Sequence, residues 1–350
     1  MVMGCSFSAC LLVPKLRMGC QYGELSGQMD SANQIGMTHS MPTPAEPLKI
    51  GTRGSPLALA QAYETRSRLS AAFSLPEEAF EIVVIKTTGD KVLDRPLKEI
   101  GGKGLFTREI EEALLDGGID IAVHSMKDMP TLQPEGLILD TYLPREDTRD
   151  AFITYAEGGL ADLPQGATVG SSSLRRRAQL LNKRPDLQVV EFRGNLQTRL
   201  KKLNDGVARG TFLAMAGLNR LKMDDVPRVA IEPEEMLSAV AQGAIGIERR
   251  IDDPRTQEML AAIHDVPTGH RLAAERSFLL KLDGSCETPI AGLAVLEGDQ
   301  IWLRGEILRP DGSESISGEI RGGIPDAAAL GAELASELLG RAPSDFFSWR

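Results

Sequence analysis

The 350-residue chain has few cysteines, few aromatic residues, no excess of positive charge and no long apolar run. A net charge of −10 argues against a general nucleic-acid-binding protein, because binding to phosphate backbones requires a positive field. No apolar stretch reaches the length of a membrane span, so no membrane partner is expected. Cys286 is the single thiol after residue 46, so no disulfide framework is predicted and the expected compartment is the reducing cytoplasm.

Residues 1–46 differ in composition from the rest of the chain. They contain Cys5, Cys10 and Cys20 among scattered Gly, Ser and Pro, without a sustained hydrophobic period. The cysteine spacing fits no metal-ligand pattern, and no metal site is predicted. The mildly apolar stretch 5–13 has no preceding basic residues and no small-residue cleavage site, which argues against a signal peptide. We interpret 1–46 as a disordered N-terminal extension, or as an upstream start that precedes Met37 or Met41.

Strand-like and helix-like patterns alternate from Leu48 onward, which predicts an α/β protein with largely parallel sheets. The sequence IDIAVHSMKDMPT at 119–131 begins as a buried strand and then places Lys127 and Asp128 at its carboxyl end. Ligands of open α/β sheets collect at this end of the strands. A carboxylate beside an ammonium group is a candidate acid–base or charge-stabilising pair. The alternative for this stretch alone is a solvated Lys-Asp turn.

Three predicted helix starts carry groups suited to anions. LKIGTRGSP predicts a strand, a glycine turn and a helix with Ser55 as N-cap, which places Arg53 near free backbone amides. GSSSLRRRAQL and FRGNLQTRL place arginines at two further strand-to-helix junctions. Consecutive helical residues point about 100° apart, so the three arginines 175–177 cannot all face one cleft. One arginine run is usually a solvated face, but two such junctions favour a polyanion-binding cleft, for carboxylate or phosphate.

Two further loops are candidates for part of a functional site. IGGKGLF at 100–106 lacks the spacing of a phosphate loop, but with Lys103 and Phe106 it could be a mobile cover over a site. Cys286 follows a glycine and a serine in a predicted turn. A lone loop cysteine is more often incidental than chemical, although an ionised thiol can carry a covalent group.

These segments together resemble the porphobilinogen deaminase (hydroxymethylbilane synthase) family. The matching stretches occur in the family's order and cover nearly everything from about residue 48 to 310, and they are RGSPLALAQA, TTGD, IGGKGLFTREIE, DIAVHSMKDMP, REDTRDAF, GSSSLRRRAQL, RPDL, FRGNLQTRL, AGLNRL and GSCETPI. The resemblance implies two lobes like those of periplasmic binding proteins, with mostly parallel sheets, plus a small α+β C-terminal domain. The corresponding domains are 47–145 with a return segment at about 240–263, then 146–239, and finally 264–350 with the cofactor cysteine.

The resemblance also implies an activity, a cofactor and site residues. Four porphobilinogen molecules condense head to tail, with loss of ammonia, on a dipyrromethane cofactor, and give the linear tetrapyrrole hydroxymethylbilane. Asp128 matches the catalytic carboxylate, and Cys286 matches the cysteine that holds the cofactor through a thioether. The residues matching those that bind acetate and propionate groups of cofactor and growing chain are Arg53, Ser55, Lys127, Ser173, Arg175, Arg176, Arg193, Arg199 and, less closely, Arg220. A monomer is expected.

Three positions depart from the family's usual sequence: Ser285 before the cysteine, VAQG at 240–243 in place of VGQG, and Arg209-Gly210 where an Asp-Ala pair is common. The first two are expected to be tolerated as small residues in turns. The sequence does not explain the effect of the third, for which an altered domain contact is one interpretation. The alternative is that the chain is a non-catalytic two-lobed anion-binding protein. That alternative assigns no function to Asp128 and Cys286. An arginine-rich nucleic-acid module fits poorly with the acidic balance and the few aromatic residues.

Overall fold

A computed structural model describes residues 39–91, 107–156, 158–285 and 288–349. Most of the predicted extension, residues 1–38, therefore lies outside the described residues. At its end, Thr43 and Glu46 close a turn with two backbone hydrogen bonds of 3.1 Å, directly before the first strand. The described structure thus includes part of the stretch for which the sequence predicted disorder. None of the helices within the described ranges is both long and apolar enough to cross a membrane.

The first lobe is built on a five-stranded sheet. Its strands are β1 (Leu48–Arg53), β2 (Phe80–Ile85), β3 (Ile121–Ser125), β4 (Leu137–Tyr142) and β10 (Ile245–Arg250). In space they follow the order β2-β1-β3-β10-β4. β1 is parallel to β2 and β3, whereas β10 is antiparallel to β3 and β4. Four of the five strands therefore point the same way, and the reversed strand is the one that returns from the second lobe.

The second lobe repeats this plan. Its strands are β5 (Asp150–Ile153), β6 (Thr168–Gly170), β7 (Gln188–Val190), β8 (Gly210–Ala214) and β9 (Val229–Ile231). They follow the order β7-β6-β8-β5-β9, and the reversed strand β5 is again the first strand after a crossing between the lobes. The strand β8 ends at Ala214, because a helix begins at Met215.

Five of the described helices begin at a residue whose side chain caps them. The described helices are α1 (Pro56–Phe73), α2 (Thr88–Lys91), α3 (Arg108–Leu115), α4 (Leu174–Lys183), α5 (Leu196–Asn204), α6 (Met215–Arg220), α7 (Pro254–Ala261), α8 (Val266–Lys281) and α9 (Ala327–Arg341). Ser55 accepts a hydrogen bond from the Ala58 amide at 3.3 Å, and Asn195 accepts one from the Thr198 amide at 2.9 Å. The Ser55 cap is the one that the sequence predicts.

The C-terminal domain is an antiparallel three-stranded meander of β11 (Ile290–Glu297), β12 (Gln300–Leu308) and β13 (Ser315–Gly323). Phe278 of α8 and Leu334 and Leu338 of α9 are buried against one face of it, in the same apolar cluster as Ile301 and Leu303. β11 and β12 are joined by a turn at Gly298-Asp299, and the sequence analysis did not predict β13. Two lobes and a smaller α+β domain confirm the predicted fold class, whereas the residue boundaries of the domains stay a prediction.

The chain crosses between the lobes twice, and the two crossings are hydrogen-bonded to each other. The Glu146 amide donates to the Gly243 oxygen at 3.2 Å, and the Gln242 side-chain amide donates to the Thr148 oxygen at 2.8 Å. Gly243 has φ +86, and a Cβ there would lie 2.5 Å from the Glu146 oxygen. Glycine is therefore required at this position by both backbone conformation and space.

The VAQG departure lies in the second crossing. Ala241 has φ +60, in the left-handed region, where an L-residue with a Cβ is strained. Its amide donates to the Glu275 carboxylate of α8 at 2.7 Å, and the same carboxylate binds Arg145 of the first crossing through two hydrogen bonds of 2.7 and 3.0 Å. The alanine is small enough to fit, as expected, but Glu275 holds it in a conformation that glycine adopts freely.

The Arg209-Gly210 departure does not alter a domain contact within the described structure. Arg209 is exposed, and its backbone pairs with Thr168 and Thr154 of the same lobe. A Cβ on Gly210 would lie 2.2 Å from Cζ of Phe152, a fully buried ring that packs against Phe212. The missing side chain at position 210 thus makes room for the phenylalanine on the neighbouring strand.

Gly210→Ala is expected to destabilise the protein by about 1–3 kcal/mol, because the buried Phe152 ring must shift inside a packed core. Arg209→Asp, the other half of the family's usual pair, is expected to change stability by no more than about 0.5 kcal/mol, since the side chain is exposed. Urea unfolding of the two single variants measures both effects. Equal stability of Gly210→Ala and the wild type would show that Phe152 does not constrain position 210.

Candidate active site

The carboxyl end of β3 presents the predicted acid–base pair. The strand ends at Ser125, and a 3₁₀ turn over Met126–Asp128 follows. The Met126 amide donates to the Ala244 oxygen at 3.0 Å, which anchors this turn to the second crossing between the lobes. Met126 is buried, Lys127 is half-buried and Asp128 is exposed. The turn therefore presents the Asp128 carboxylate to solvent from a fixed backbone, in contrast to a mobile surface loop.

A small cavity of about 80 Å³ lies beside Asp128. Its polar lining comes from β1, α1, β3 and the start of α3, and consists of Arg53, Ser55, Gln61, Thr107, His124, Ser125 and Asp128. Gln61 and Ser125 are hydrogen-bonded to each other through their side chains, at 2.8 Å from Nε2 to Oγ. The structure thus brings the predicted residues Arg53 and Ser55 together with Asp128. Ser125, at the strand end that the sequence analysis singled out, is also a lining residue, whereas Gln61, Thr107 and His124 are lining residues that the sequence interpretation did not name.

The second lobe contributes α4, whose N-cap is Ser173. The side chains of Arg175 and Arg176 are 4% and 6% exposed, whereas Arg177 is exposed, as the helical geometry predicted. Arg175 and Arg176 both bind Asp150, at 2.8 and 2.7 Å from their Nη2 atoms. Arg175 also donates to the Leu237 oxygen at 2.9 Å.

Asp150 is the buried partner of two predicted site residues, and the sequence analysis did not single it out. Burial would raise the pKa of its carboxyl group, but Arg175 and Arg176 lower that pKa well below its ordinary value. Gln242 of the second crossing also donates to it, at 2.9 Å. The sequence did contain a signal for it, because Asp150 is an acidic residue at the start of the apolar strand DAFI. A buried charge without a partner there would be costly in free energy.

Cationic groups from the two lobes meet around Asp128. Burial lowers the pKa of Lys127 to about 8, and Asp128 opposes this shift while Arg176 and Arg199 add to it. Burial lowers the pKa of Arg199 to about 10, again with Arg176 adding to the shift and Asp128 opposing it. Lys127, Arg176 and Arg199 therefore act on one another as like charges, and a bound anion would reduce this repulsion.

The remaining predicted arginines are placed differently. Arg193 and Arg199 are half-buried at the start of α5, where the Arg199 Nε donates to the Gly194 oxygen at 2.9 Å. Arg220 of α6 donates to Glu64 of α1 at 3.4 Å and to the Gly243 oxygen at 3.0 Å. Its contacts therefore join the second lobe to the first lobe and to the crossing. Glu64 and Glu146 are among the groups that affect the pKa of Arg220, and Asp128 is not one of them.

The predicted cofactor cysteine Cys286 and the predicted mobile-loop residues Lys103 and Phe106 lie outside the described residues. The flanks of Cys286 are described. The Ser285 amide donates to the Thr288 Oγ1 at 2.9 Å, and this hydroxyl donates to the Ser285 oxygen at 2.7 Å. Gly284 is closely packed, because a Cβ there would lie 2.4 Å from Leu279 Cδ1.

Comparisons with known proteins agree with these features. The family model described as porphobilinogen deaminase, dipyromethane cofactor binding domain, matches residues 48–258. The model of the porphobilinogen deaminase C-terminal domain matches residues 270–340. The porphobilinogen deaminase of Paracoccus denitrificans (strain Pd 1222) is 70% identical over 309 residues, which cover 88% of this chain and 99% of the relative. The chain belongs to the porphobilinogen deaminase family.

Solved structures give weaker similarities. The periplasmic VFT2 domain of Bordetella pertussis BvgS is 15% identical, with a TM-score of 0.37 over 66% of this chain and 92% of that domain. The periplasmic aliphatic sulphonate-binding protein SsuA of Escherichia coli is also 15% identical, with a TM-score of 0.37 over 68% of this chain and 71% of that protein.

The cationic groups of the cleft fit the cofactor of this family. A dipyrromethane carries an acetate and a propionate side chain on each of its two pyrrole rings, and therefore several carboxylates. Lys127 and Arg199 supply donors of the required charge. Arg176, which is itself bonded to Asp150 and the Phe212 oxygen, adds to the positive charge around them, and the carboxylates would reduce this repulsion. The predicted cofactor is thus compatible with the charges of the described residues.

Proposed function

We propose that this chain catalyses the stepwise head-to-tail condensation of four porphobilinogen molecules to the linear tetrapyrrole hydroxymethylbilane, with release of ammonia. The observation that carries the proposal is a single carboxylate, Asp128, presented at a strand end and surrounded by cations from both lobes. Membership of the porphobilinogen deaminase family supports it. The expected monomeric state and cytoplasmic location belong to the same proposal.

The role of Asp128 is to stabilise the positive charge that develops on the substrate. When porphobilinogen loses ammonia, the remaining pyrrole is an electron-poor cation, which the free α-carbon of the next pyrrole attacks. A fixed carboxylate near the pyrrole nitrogen stabilises this cation in both deamination and coupling. The 3₁₀ turn holds Asp128 in place before the charge develops, so little reorganisation is needed during the reaction.

The cations around Asp128 bind and orient the carboxylates. Lys127 and Arg199 lie close enough to Asp128 to be affected by its charge, and Arg176 is held by Asp150 in the same cluster. Bidentate recognition by arginine fixes the orientation as well as the position of a carboxylate. Arg53 and Ser55 extend the binding surface along the first lobe. The dipyrromethane, when attached through Cys286, supplies the pyrrole on which the chain is built and remains on the protein when the product leaves.

Incubation of the purified protein with porphobilinogen tests the proposed function. The expected result is release of one ammonia for each porphobilinogen consumed, together with a product that cyclises to uroporphyrin on standing. An anion-binding protein without catalysis would bind porphobilinogen and leave it unchanged. No observation on the described residues favours that alternative.

The lowered pKa of Lys127 predicts that porphobilinogen binding takes up protons at alkaline pH. A bound carboxylate stabilises the ammonium form, so binding raises the pKa of Lys127 from its value of about 8 in the free cleft. Affinity should therefore fall as the pH rises through 8, by up to about tenfold per pH unit. Calorimetry of porphobilinogen binding to Cys286→Ser protein, in two buffers with different ionisation enthalpies, measures the proton uptake without covalent loading.

Lys127→Arg is the matched control, because a guanidinium group remains charged over the range from pH 7 to 9.5. The variant should bind porphobilinogen with little proton uptake and without the loss of affinity above pH 8. Binding to the Lys127 protein without proton uptake between pH 8 and 9.5 would remove Lys127 from the carboxylate-binding set.

A further inference from the structure

A buried histidine–carboxylate pair lies next to the proposed active site and has no role in the mechanism above. His124 of β3 and Glu248 of β10 are diagonal neighbours on antiparallel strands, since His124 is opposite Gly246 and Glu248 is opposite Ala122. His124 Nε2 lies 3.0 Å from Glu248 Oε2. The imidazole is 5% exposed and the carboxylate is fully buried.

The surroundings of this pair contain several other ionisable groups. Burial raises the pKa of Glu111 on α3; the Thr107 hydroxyl and the charge of His124 oppose this rise, and the charge of Glu248 adds to it. The charge of Glu248 also affects the pKa of Arg276 on α8. The Arg276 guanidinium, however, donates to the Pro130 and Thr131 oxygens. His124 is therefore the basic group in hydrogen-bond contact with Glu248.

Glu248 orients the His124 ring through their hydrogen bond. A buried carboxylate that accepts from one imidazole nitrogen fixes the ring and stabilises the imidazolium when it forms, as in serine hydrolases. The second oxygen, Glu248 Oε1, is buried without a hydrogen-bond partner in the described part of the chain.

His124 also borders the cavity beside Asp128. The ring lines the cavity that also contains Arg53 and Asp128, and no further hydrogen bond to the ring occurs among the described residues. The cavity volume of about 80 Å³ is too small for a pyrrole with two carboxylate arms but is sufficient for a few water molecules. Ser55 and Ser125 in its wall provide hydrogen-bonding groups for such water.

We propose that His124, oriented by Glu248, is a proton-relay residue that accepts through cavity water the proton that Asp128 receives during coupling. This inference rests on the proposed function. In each addition, a bond forms between the cationic methylene carbon and the free α-carbon of the next pyrrole. The C–H bond at that α-carbon then breaks, its electron pair restores the aromatic ring, and the proton passes to Asp128 and on to His124. His124 returns the proton to the released ammonia, which leaves as ammonium.

Porphobilinogen carrying deuterium at its free α-carbon tests the relay. In the wild type, proton loss is fast and kcat should show an isotope effect near 1. In His124→Gln, kcat should fall at least about tenfold, KM should stay within about twofold, and the isotope effect should exceed about 2 because proton loss becomes rate-limiting. His270→Gln, on α8, is the matched histidine control and should behave as the wild type.

The isotope effect separates a relay from a structural role. A lower kcat in His124→Gln with an isotope effect near 1 would overturn the proposal, and so would an unchanged kcat. If removal of the imidazole leaves Glu248 unpaired and the variant does not fold, the double variant His124→Gln/Glu248→Gln replaces the pair by two neutral amides and is measured in the same way. Failure of the proposed function is distinguishable, because then the wild type itself would not consume porphobilinogen.

Discussion

Asp128→Asn is expected to lower kcat at least about a hundredfold while the protein still folds and binds porphobilinogen. The amide has nearly the same shape as the carboxylate but no charge, so the cation formed on loss of ammonia is no longer stabilised. Because Asp128 is exposed, the thermal unfolding midpoint should change little. Ammonia release under steady-state conditions measures the loss.

Two further variants show whether the position of the charge matters. Asp128→Glu keeps the charge but moves it by one methylene, and it should also be impaired, since the 3₁₀ turn holds the backbone fixed relative to the substrate. Asp299→Asn, in the exposed β11–β12 turn, is the matched control for removal of one surface carboxylate and should retain full activity. Near-normal turnover of Asp128→Asn would remove Asp128 from the mechanism.

Cys286→Ser is expected to abolish both the covalent cofactor and nearly all activity. A hydroxyl is a far weaker nucleophile than a thiol at neutral pH, so the dipyrromethane should not become attached. Intact mass spectrometry of the wild-type protein should show two linked pyrrole units in addition to the sequence mass. The adduct should withstand thiol reductants, because a thioether does not exchange with thiols as a disulfide does.

The tryptic fragment 282–304 should carry the added mass in the wild type and lack it in Cys286→Ser. Joint replacement of Cys5, Cys10 and Cys20 by serine is the control and should leave loading and activity unchanged. The hydrogen bonds between Ser285 and Thr288 flank the attachment position and do not depend on the thiol, so the variant should fold. An active protein whose Cys286 reacts freely with a thiol reagent would contradict the assignment.

Much of the fold follows from local patterns. Ser55 and Asn195 cap their helices, because hydroxyl and amide groups at these positions accept from amides that the helix leaves unpaired. The exposure of Arg177 beside two buried arginines follows from the 100° rotation between helical residues. By contrast, β13 was missed because its polar and glycine-rich sequence, SISGEIRGG, forms a strand only by pairing with β12.

The sequence alone was sufficient for the α/β class, the helix starts, the polar strand end at Asp128 and the resemblance to the porphobilinogen deaminase family. Only the tertiary structure showed that Asp150 joins Arg175 and Arg176, that Arg220 joins the two lobes, and that Glu248 holds His124. The reason is the distance along the chain: His124 and Glu248 meet because the returning strand β10 pairs with β3, across 124 positions. Hydrophobic periodicity indicates which face of an element is buried, but the partner on that face depends on the order of strands in the sheet.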